Sequence, residues 1–136
     1  MMDSQGSSNI VRALQLMASD ARRQISLFPP GIAVADEIAL LFDDGMLLVE
    51  QEQRLNCSNI AAPTLVMLRT LNAELARLSN EPDKDFWATE ALCNDLRWQR
   101  LRVTAREILT LMGESIGPPS SNGVYVVLPG TSFEDD

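Results

Sequence analysis

Apolar residues recur every three or four positions along most of residues 9–113, with polar residues between them. This spacing places the apolar side chains on one face of an α-helix. In the first such segment, Ser8 or Asn9 can cap a helix that reaches about Ser26. Its apolar face comprises Ile10, Leu14, Met17, Ala21 and Ile25. The run Phe28-Pro29-Pro30-Gly31 then ends the helix, because a residue before proline avoids helical geometry and glycine favours a turn.

Two further helices are predicted in the middle of the chain. The first spans Ala33 to about Gln53, and its apolar face comprises Val34, Ile38, Leu41, Phe42, Leu48 and Val49. Gly45 lies on that face too, where glycine destabilises a helix by about 1 kcal/mol relative to alanine unless a neighbour packs closely against it. The next helix spans about Ile60 to Ser79, with Pro63 tolerated in its first turn. Its stripe consists of Leu65, Leu68, Leu71, Leu75 and Leu78.

The fourth helical stretch covers residues 85–112 and ends before Gly113. The phase of its apolar positions slips between Leu96 and Leu101. The pattern is therefore compatible with one helix, and also with two helices separated by a break near Asp95 to Gln99. Together the periodic segments predict an all-α fold, an up-down helical bundle of four to five helices.

The two ends of the chain differ from this central domain. Residues 1–8 are polar, and we predict a flexible N-terminus ahead of a bundle domain at 9–113. Residues 114–136 contain a linker rich in proline and serine, a β-branched run at 124–128 and an acidic end. A lone strand cannot build a sheet on a helical domain. This C-terminal arm can therefore dock in an extended form, pair with a partner, or stay partly disordered.

The composition limits the environment in which this domain works. The chain has 136 residues, 46% of them hydrophobic, which is enough for one buried core. Its net charge of -8 disfavours nucleic acid and anionic membrane surfaces as partners. No apolar run approaches the roughly 18 residues of a membrane helix. Cys57 and Cys93 make no disulfide framework and no signal peptide is recognisable, so we expect a cytoplasmic protein.

The chain contains no histidine, and this limits its chemistry more than any residue that is present. Histidine-based triads, general bases and metal sites are excluded, and no nucleotide-binding or hydrolase motif occurs. Asp36-Glu37 and Asp43-Asp44 lie about two turns apart on one helix, so a carboxylate-dependent enzyme or metal binder stays open as an alternative. Paired surface acids on an amphipathic helix usually serve solvation. We therefore predict a protein without catalytic activity, cofactor or metal.

The second predicted helix carries the candidate binding site. At about 100° per residue, three of its acids form an outward stripe and two more acids lie on the flank of that stripe. Two leucines fall between these two groups of acids, away from the core-facing arc. In one interpretation, Leu40 and Leu47 pack against the C-terminal arm or another helix. In the other, they form an apolar centre that captures a basic partner, steered by the acids around it. The partner-binding site would then comprise Asp36, Glu37, Leu40, Asp43, Asp44, Leu47 and Glu50.

A basic cluster lies in the fourth helical stretch, where four arginines accompany Trp98: Arg97, Arg100, Arg102 and Arg106. Such a cluster with an aromatic residue can bind nucleic acid. Residues 81–113 nevertheless hold six acids against five bases, which argues against that function. We expect the arginines to pair with the acidic helix, or with Glu107, Asp95 and the carboxylates of the C-terminal tail. Trp87 and Trp98 are expected to be anchors in the core or at its edge.

Small size, negative charge and missing catalytic residues together indicate an acidic protein-binding module. Within that class, the prediction is a bacterial immunity or antitoxin-type protein that blocks the basic cleft of a toxin. One alternative is a secretion chaperone or adaptor. Another is a structural homodimer joined through Leu40 and Leu47 or through the C-terminal strand.

Overall fold

The computed structural model describes residues 5–116 of the protein. In this range the chain forms six α-helices and one 3₁₀ turn, without a β-strand. The elements are α1 (Gln5–Ala18), α2 (Ala21–Ser26), α3 (Val34–Arg54), α4 (Ala62–Ser79), the 3₁₀ turn (Asp85–Trp87), α5 (Ala91–Asn94) and α6 (Leu96–Met112). The predicted all-α fold is confirmed. Of the predicted C-terminal arm at 114–136, residues 114–116 are described, whereas the part from residue 117 onwards, with its run at 124–128, lies outside the described residues.

Four long helices, α1, α3, α4 and α6, build the bundle. α1 packs against α3 and α6, and α4 also contacts both α3 and α6, so the four helices enclose one core. Fully buried side chains fill this core, among them Leu14, Leu16, Met17, Ile38, Phe42, Leu68, Trp98 and Ile108. The continuous apolar interior is what holds the outward faces of the helices in fixed positions.

The glycine on the apolar face of α3 has the close neighbour that its position requires. A Cβ atom at Gly45 would lie 3.0 Å from Cδ1 of Ile10 and 3.2 Å from the Cα of the same residue. Ordinary contacts between carbon atoms are about 3.5–4.0 Å long. Glycine therefore allows α1 and α3 to approach more closely than any other residue would.

The second and third predicted helices are confirmed as α3 and α4. Their ends lie within two residues of the predicted ends, and Pro63 is in the first turn of α4, as expected. The predicted stripe of α4 is buried at every position, with exposed fractions of 6% or less for Leu65, Leu68, Leu71, Leu75 and Leu78. One continuous apolar face on each helix explains why periodicity was sufficient here.

The prediction of one helix from Ser8 or Asn9 to Ser26 is wrong, because the chain breaks into α1 and α2. The carboxylate of Asp20 accepts a hydrogen bond from the backbone N–H of Arg23 at 3.0 Å and so caps α2. An aspartate that bonds to the backbone in this way favours a helix start over a helix interior.

Long-range hydrogen bonds satisfy the end of α1 at this break. Gln24 is fully buried, and its Nε2 donates to the carbonyl oxygens of Leu16 and Met17. From α6, Nε of Arg102 donates to the carbonyl oxygen of Ser19, and Nε of Arg106 donates to that of Ala18, both at 2.9 Å. The last carbonyl groups of a helix lack partners within it. Side chains from elsewhere in the chain therefore fix where α1 ends.

α1 also begins earlier than predicted, at Gln5, inside the residues 1–8 that the sequence predicted to be flexible. Each helical N–H bonds to the carbonyl group four residues before it. Ile10 is fully buried against Gly45, so the helical turn that holds it extends towards the N-terminus.

Of the two alternatives for residues 85–112, the break near Asp95 is confirmed. Ahead of the break, however, the predicted helix is wrong for residues 85–90, because the chain forms the 3₁₀ turn there and becomes α-helical only in α5. Oδ1 of Asp95 accepts a hydrogen bond from the backbone N–H of Arg97 at 2.8 Å and caps α6. Gly113 ends α6 in the left-handed region, at φ +75°, as its predicted role requires. Since two predicted helical stretches each break at an aspartate, the described residues form six α-helices and not four or five.

Candidate functional site

The outward face of α3 carries the two leucines of the candidate site. Leu40 is 54% exposed and Leu47 is 63% exposed. No other described helix covers them, so the prediction that a neighbouring helix packs on both leucines is wrong for residues 5–116. The C-terminal arm, which was the other predicted cover, lies outside that range. The opposite face of α3 is anchored in the core by Ile38, Phe42 and Val49, which fixes the direction in which the leucines project.

Acidic side chains flank the two leucines on both sides. Asp36, Asp43 and Asp44 are exposed, and Glu37 is half-buried. Burial raises the pKa of the Glu37 carboxyl, and the charges of Asp36 and Asp44 raise it further. These carboxylates therefore lie close enough to repel one another, and a cation placed among them would relieve that repulsion. Together with the two leucines, the four residues form a surface that we call the acidic face of α3.

Glu50, the fifth predicted acid, is engaged within the chain. Both of its carboxylate oxygens accept hydrogen bonds from Arg69 of α4, each at 2.7 Å. These bonds lower the pKa of Glu50. They also tie the C-terminal half of α3 to the N-terminal half of α4. Since the N-terminal half of α3 lines one groove with the C-terminal half of α4, the two helices are antiparallel. The structure thus gives Glu50 an internal cation that the sequence analysis did not single out.

A groove of about 710 Å³ lies between α3 and α4, beside Leu40. The buried side chains of Phe42 and Leu75 contribute to its lining. Further lining residues come from α3, from α4 and from the segment after α4: Asp36, Ala39, Leu40, Asp43, Asn72, Ala76, Ser79, Lys84 and Trp87. Its volume falls in the range of sites that hold a small ligand or a partner side chain, about 300–1,000 Å³. We call it the α3–α4 groove.

The structure brings only part of the predicted site together in this groove. Three of the predicted residues line the groove: Asp36, Leu40 and Asp43. Three others lie on the adjoining surface of α3: Glu37, Asp44 and Leu47. Sequence reasoning missed Lys84 and Trp87, because their position depends on how the segment after α4 returns towards α3. One signal in the sequence was available. The connection between the second and third predicted helices is short and polar, so these helices should be antiparallel neighbours, and the segment after the third should lie near the start of the second.

An aromatic cluster holds Trp87 in the wall of the groove. The Phe86 ring packs edge-on against Trp87 and stacks on Trp98, with ring centroids 4.7 Å apart in both pairs. Trp98 is fully buried, and its Nε1 donates a hydrogen bond of 2.8 Å to the carbonyl oxygen of Phe86. Trp98 is thus the predicted anchor in the core. Trp87 is half-buried and packs against the core at its edge, as predicted, and it also lines the groove. A ring fixed in this way gives the groove a preformed apolar wall.

The arginines of α6 are used largely inside the chain. Arg97 forms ion pairs with Asp95 at 2.7 Å and with Asp83 at 2.9 Å, in line with the predicted pairing to Asp95. Arg102 and Arg106 instead donate to the backbone carbonyl groups at the end of α1. Burial and the nearby charge of Arg106 lower the pKa of Arg102. These three guanidinium groups therefore serve the fold.

The described residues offer little for metal or covalent chemistry. Between residues 5 and 116, no three Cys, Asp or Glu side chains gather into a group that could hold a metal ion. Cys57 and Cys93 are both exposed and unbridged. None of the described helices combines the length and the apolar character needed to cross a membrane. What the acidic face of α3 offers is electrostatic attraction and apolar contact.

Comparison of the chain with models of known protein families, with curated proteins and with solved structures finds no match. The function therefore has to be inferred from the chemistry of the surface itself.

Proposed function

We propose that this chain is a non-catalytic binding module that captures a basic protein partner on the acidic face of α3. The observation that carries the proposal is the exposure of Leu40 and Leu47 among exposed aspartates, beside a groove. A single exposed leucine on a protein surface needs no explanation. Two leucines on one helix face, next to an apolar groove, form a patch that a partner can cover.

The leucines and the acids contribute to binding in different ways. Leu40 and Leu47 lie two helical turns apart, about 10 Å along α3. Covering the exposed part of each would contribute about 1 kcal/mol by removing apolar area from water. Exposed aspartates act mainly on encounter, because they attract a basic partner over a distance and salt screens them. The α3–α4 groove would receive an apolar side chain of the partner beside Leu40.

The charge of this region specifies a basic partner. Residues 31–59 hold six acids and one arginine, which is a local charge of -5 out of the total of -8, although Arg69 of α4 neutralises Glu50. Within the class of binding modules, an immunity or antitoxin-type protein fits this distribution. A toxin that acts on nucleic acid needs lysines and arginines in its cleft to bind phosphate groups, and an acidic helix can fill such a cleft.

The α3–α4 groove favours a second candidate of the same kind, a chaperone or adaptor that holds one segment of its partner. A groove with a preformed aromatic wall suits a short extended or helical segment. A toxin would lose its activity when bound on this surface, whereas a chaperoned partner would keep its activity and gain solubility. That difference separates the two candidates once a partner is in hand.

The experiment starts from a basic protein that co-purifies with the tagged chain and continues with the two purified proteins. Reversing Asp43 and Asp44 to lysine should slow association and flatten its dependence on salt. Leu47→Ala should instead speed dissociation, because an apolar anchor holds the formed complex. Stopped-flow or surface-based kinetics separates the two rates.

Two matched variants keep this test independent of folding. Leu40→Gln with Leu47→Gln removes the apolar centre without adding charge, and glutamine is as good a helix former as leucine. This double variant should stay folded and lose the partner. Leu55→Gln, at a leucine that is 66% exposed outside the acidic face of α3, should change neither property. Unchanged binding by the double variant, or its unfolding, would contradict the proposed site.

A further inference from the structure

A second exposed apolar stripe runs along α6, on the side directed away from the core. Leu96 is 61% exposed, and Val103 and Leu111 are each 51% exposed. Arg100 and Glu107, which are also exposed, lie between them. At about 100° per residue, these five positions fall within an arc of about 80°, so they form one stripe. We call it the α6 stripe.

The order of residues along the α6 stripe is complementary to itself. Arg100 and Glu107 lie at equal distances on either side of the point between Val103 and Thr104, and Leu96 and Leu111 lie symmetrically about the same point. If a second α6 packs antiparallel across that point, Arg100 faces Glu107 of the second copy. Leu96 then faces Leu111 of the second copy, and Val103 lies next to the axis.

The same symmetry disfavours an antiparallel pairing of two α3 helices. The point midway between Leu40 and Leu47 lies between Asp43 and Asp44. A second α3 packed antiparallel there would place Asp43 opposite Asp44 of the second copy, twice, and like charges directly opposite each other are unfavourable. The acidic face of α3 therefore suits a basic partner, whereas the α6 stripe suits its own copy.

We propose that two copies of this chain associate through the α6 stripe, with the two α6 helices antiparallel about a two-fold axis beside Val103. Such an interface is isologous, so each favourable contact occurs twice. The other arginines of α6 do not oppose it, because Arg97, Arg102 and Arg106 are engaged within the chain.

Arg100 also has a carboxylate of its own chain nearby, because its charge helps to lower the pKa of Glu74 of α4. Arg77, however, is the residue that donates hydrogen bonds to Glu74. Arg100 is exposed and lies within the stripe, between the angular positions of Leu96 and Leu111, so its charge would meet Glu107 of the second copy.

The size of the contact predicts a weak dimer. α6 has 17 residues and is about 25 Å long. One helix packed against one helix buries less than the 1,200 Å² or so of a stable interface. We therefore expect a dissociation constant in the micromolar range, with monomer and dimer in exchange.

Sedimentation equilibrium of the full chain over a range of concentrations tests the proposal. The mass should rise towards twice the 15.0 kDa of one chain. Arg100→Glu alone and Glu107→Arg alone should each weaken the dimer by about tenfold or more, because each places like charges together at both symmetric contacts. The two changes combined should restore the affinity, since opposite charges face each other again.

Restoration by the double variant is specific to pairing between copies. Residues 100 and 107 are two turns apart on one helix, too far to contact each other within a single copy. Leu47→Gln on α3 is the matched control and should leave the dimer unchanged. The proposal is overturned by a chain that stays monomeric at every concentration. A dimer that the single changes leave intact, that the double variant does not restore, or that Leu47→Gln disrupts would overturn it equally.

Discussion

Replacing Gly45 by alanine tests the closest approach in the bundle. On an isolated helix this change would stabilise α3 by about 1 kcal/mol. Here the new methyl group would lie 3.0 Å from Cδ1 of Ile10 and 3.2 Å from its Cα. The Cδ1 atom can rotate away, but the Cα atom belongs to the backbone of α1, so the two helices have to separate by a few tenths of an ångström.

The two effects oppose each other, and their magnitudes decide the sign. Overpacking a well-filled core destabilises it by about 1–3 kcal/mol, which exceeds the gain in helix propensity. Gly45→Ala should therefore lower the free energy of unfolding, by about 1 kcal/mol. Urea unfolding followed by circular dichroism measures this as a lower midpoint with an unchanged slope.

Two companion variants isolate the cause of this loss. Ala73→Gly, at an exposed position of α4, should destabilise by about 1 kcal/mol and so report the helix propensity in this protein. In an Ile10→Val background the Cδ1 atom is gone but the Cα atom remains, so Gly45→Ala should still destabilise the protein if the backbone of α1 sets the limit. If Gly45→Ala raises stability by about 1 kcal/mol, the contact with α1 does not constrain α3 and the reasoning fails.

Three further predictions concern the core, the end of α1 and the response to acid. Leu71→Ala should destabilise the protein by about 2–5 kcal/mol, because this side chain is 2% exposed. Leu47→Ala should destabilise it by less than about 1 kcal/mol, because this side chain is 63% exposed. Equal losses of stability on urea unfolding would refute the assigned faces. Arg102→Met removes three hydrogen bonds and should destabilise by about 2–4 kcal/mol. A thermal unfolding curve that matches the natural chain would rule out that role. Hydrogen bonds from Arg97 hold the pKa of Asp95 below its usual value. Arg97→Ala should therefore cause its full loss of stability above about pH 5, and the loss should become smaller as the pH falls through that lowered pKa. Denaturant titrations that give one constant difference at every pH would contradict this linkage.

The fold was predictable where one helix buries one continuous face. α3 and α4 meet that condition, and periodicity alone predicts their bounds to within two residues and the buried leucines of α4. On α3 it is less accurate, because Leu41 and Leu48 of the predicted apolar face are only half-buried. The break between α1 and α2 was not predictable in this way. Asp20 offers a cap there, but Arg102 and Arg106 complete the end of α1 from 83 and 88 residues further along the chain. A local pattern carries no information about partners at that separation.

The candidate site was predictable to the extent that helix geometry determines which side chains share a face. Geometry placed Leu40 and Leu47 among acids on α3, away from the core-facing arc. Whether a leucine at that angle is exposed depends on where α4 lies, and this is a property of the packed bundle. The same packing gives Glu50 its contact with Arg69 and brings Trp87 into the wall of the groove.

The hydrogen bonds that close the end of α1 also bear on the order in which the protein is made. The ribosome adds Ala18 and Ser19 early, and it adds Arg102 and Arg106 near the end of the described chain. Until α6 has emerged, the carbonyl groups at the end of α1 face water and the helix cannot take its buried position. The N-terminal helices therefore reach their packed positions only after the C-terminal helix has been made, and the domain folds as a unit. We expect a chain that terminates before α6 to be digested by proteases faster than the complete chain, because its N-terminal helices lack these partners.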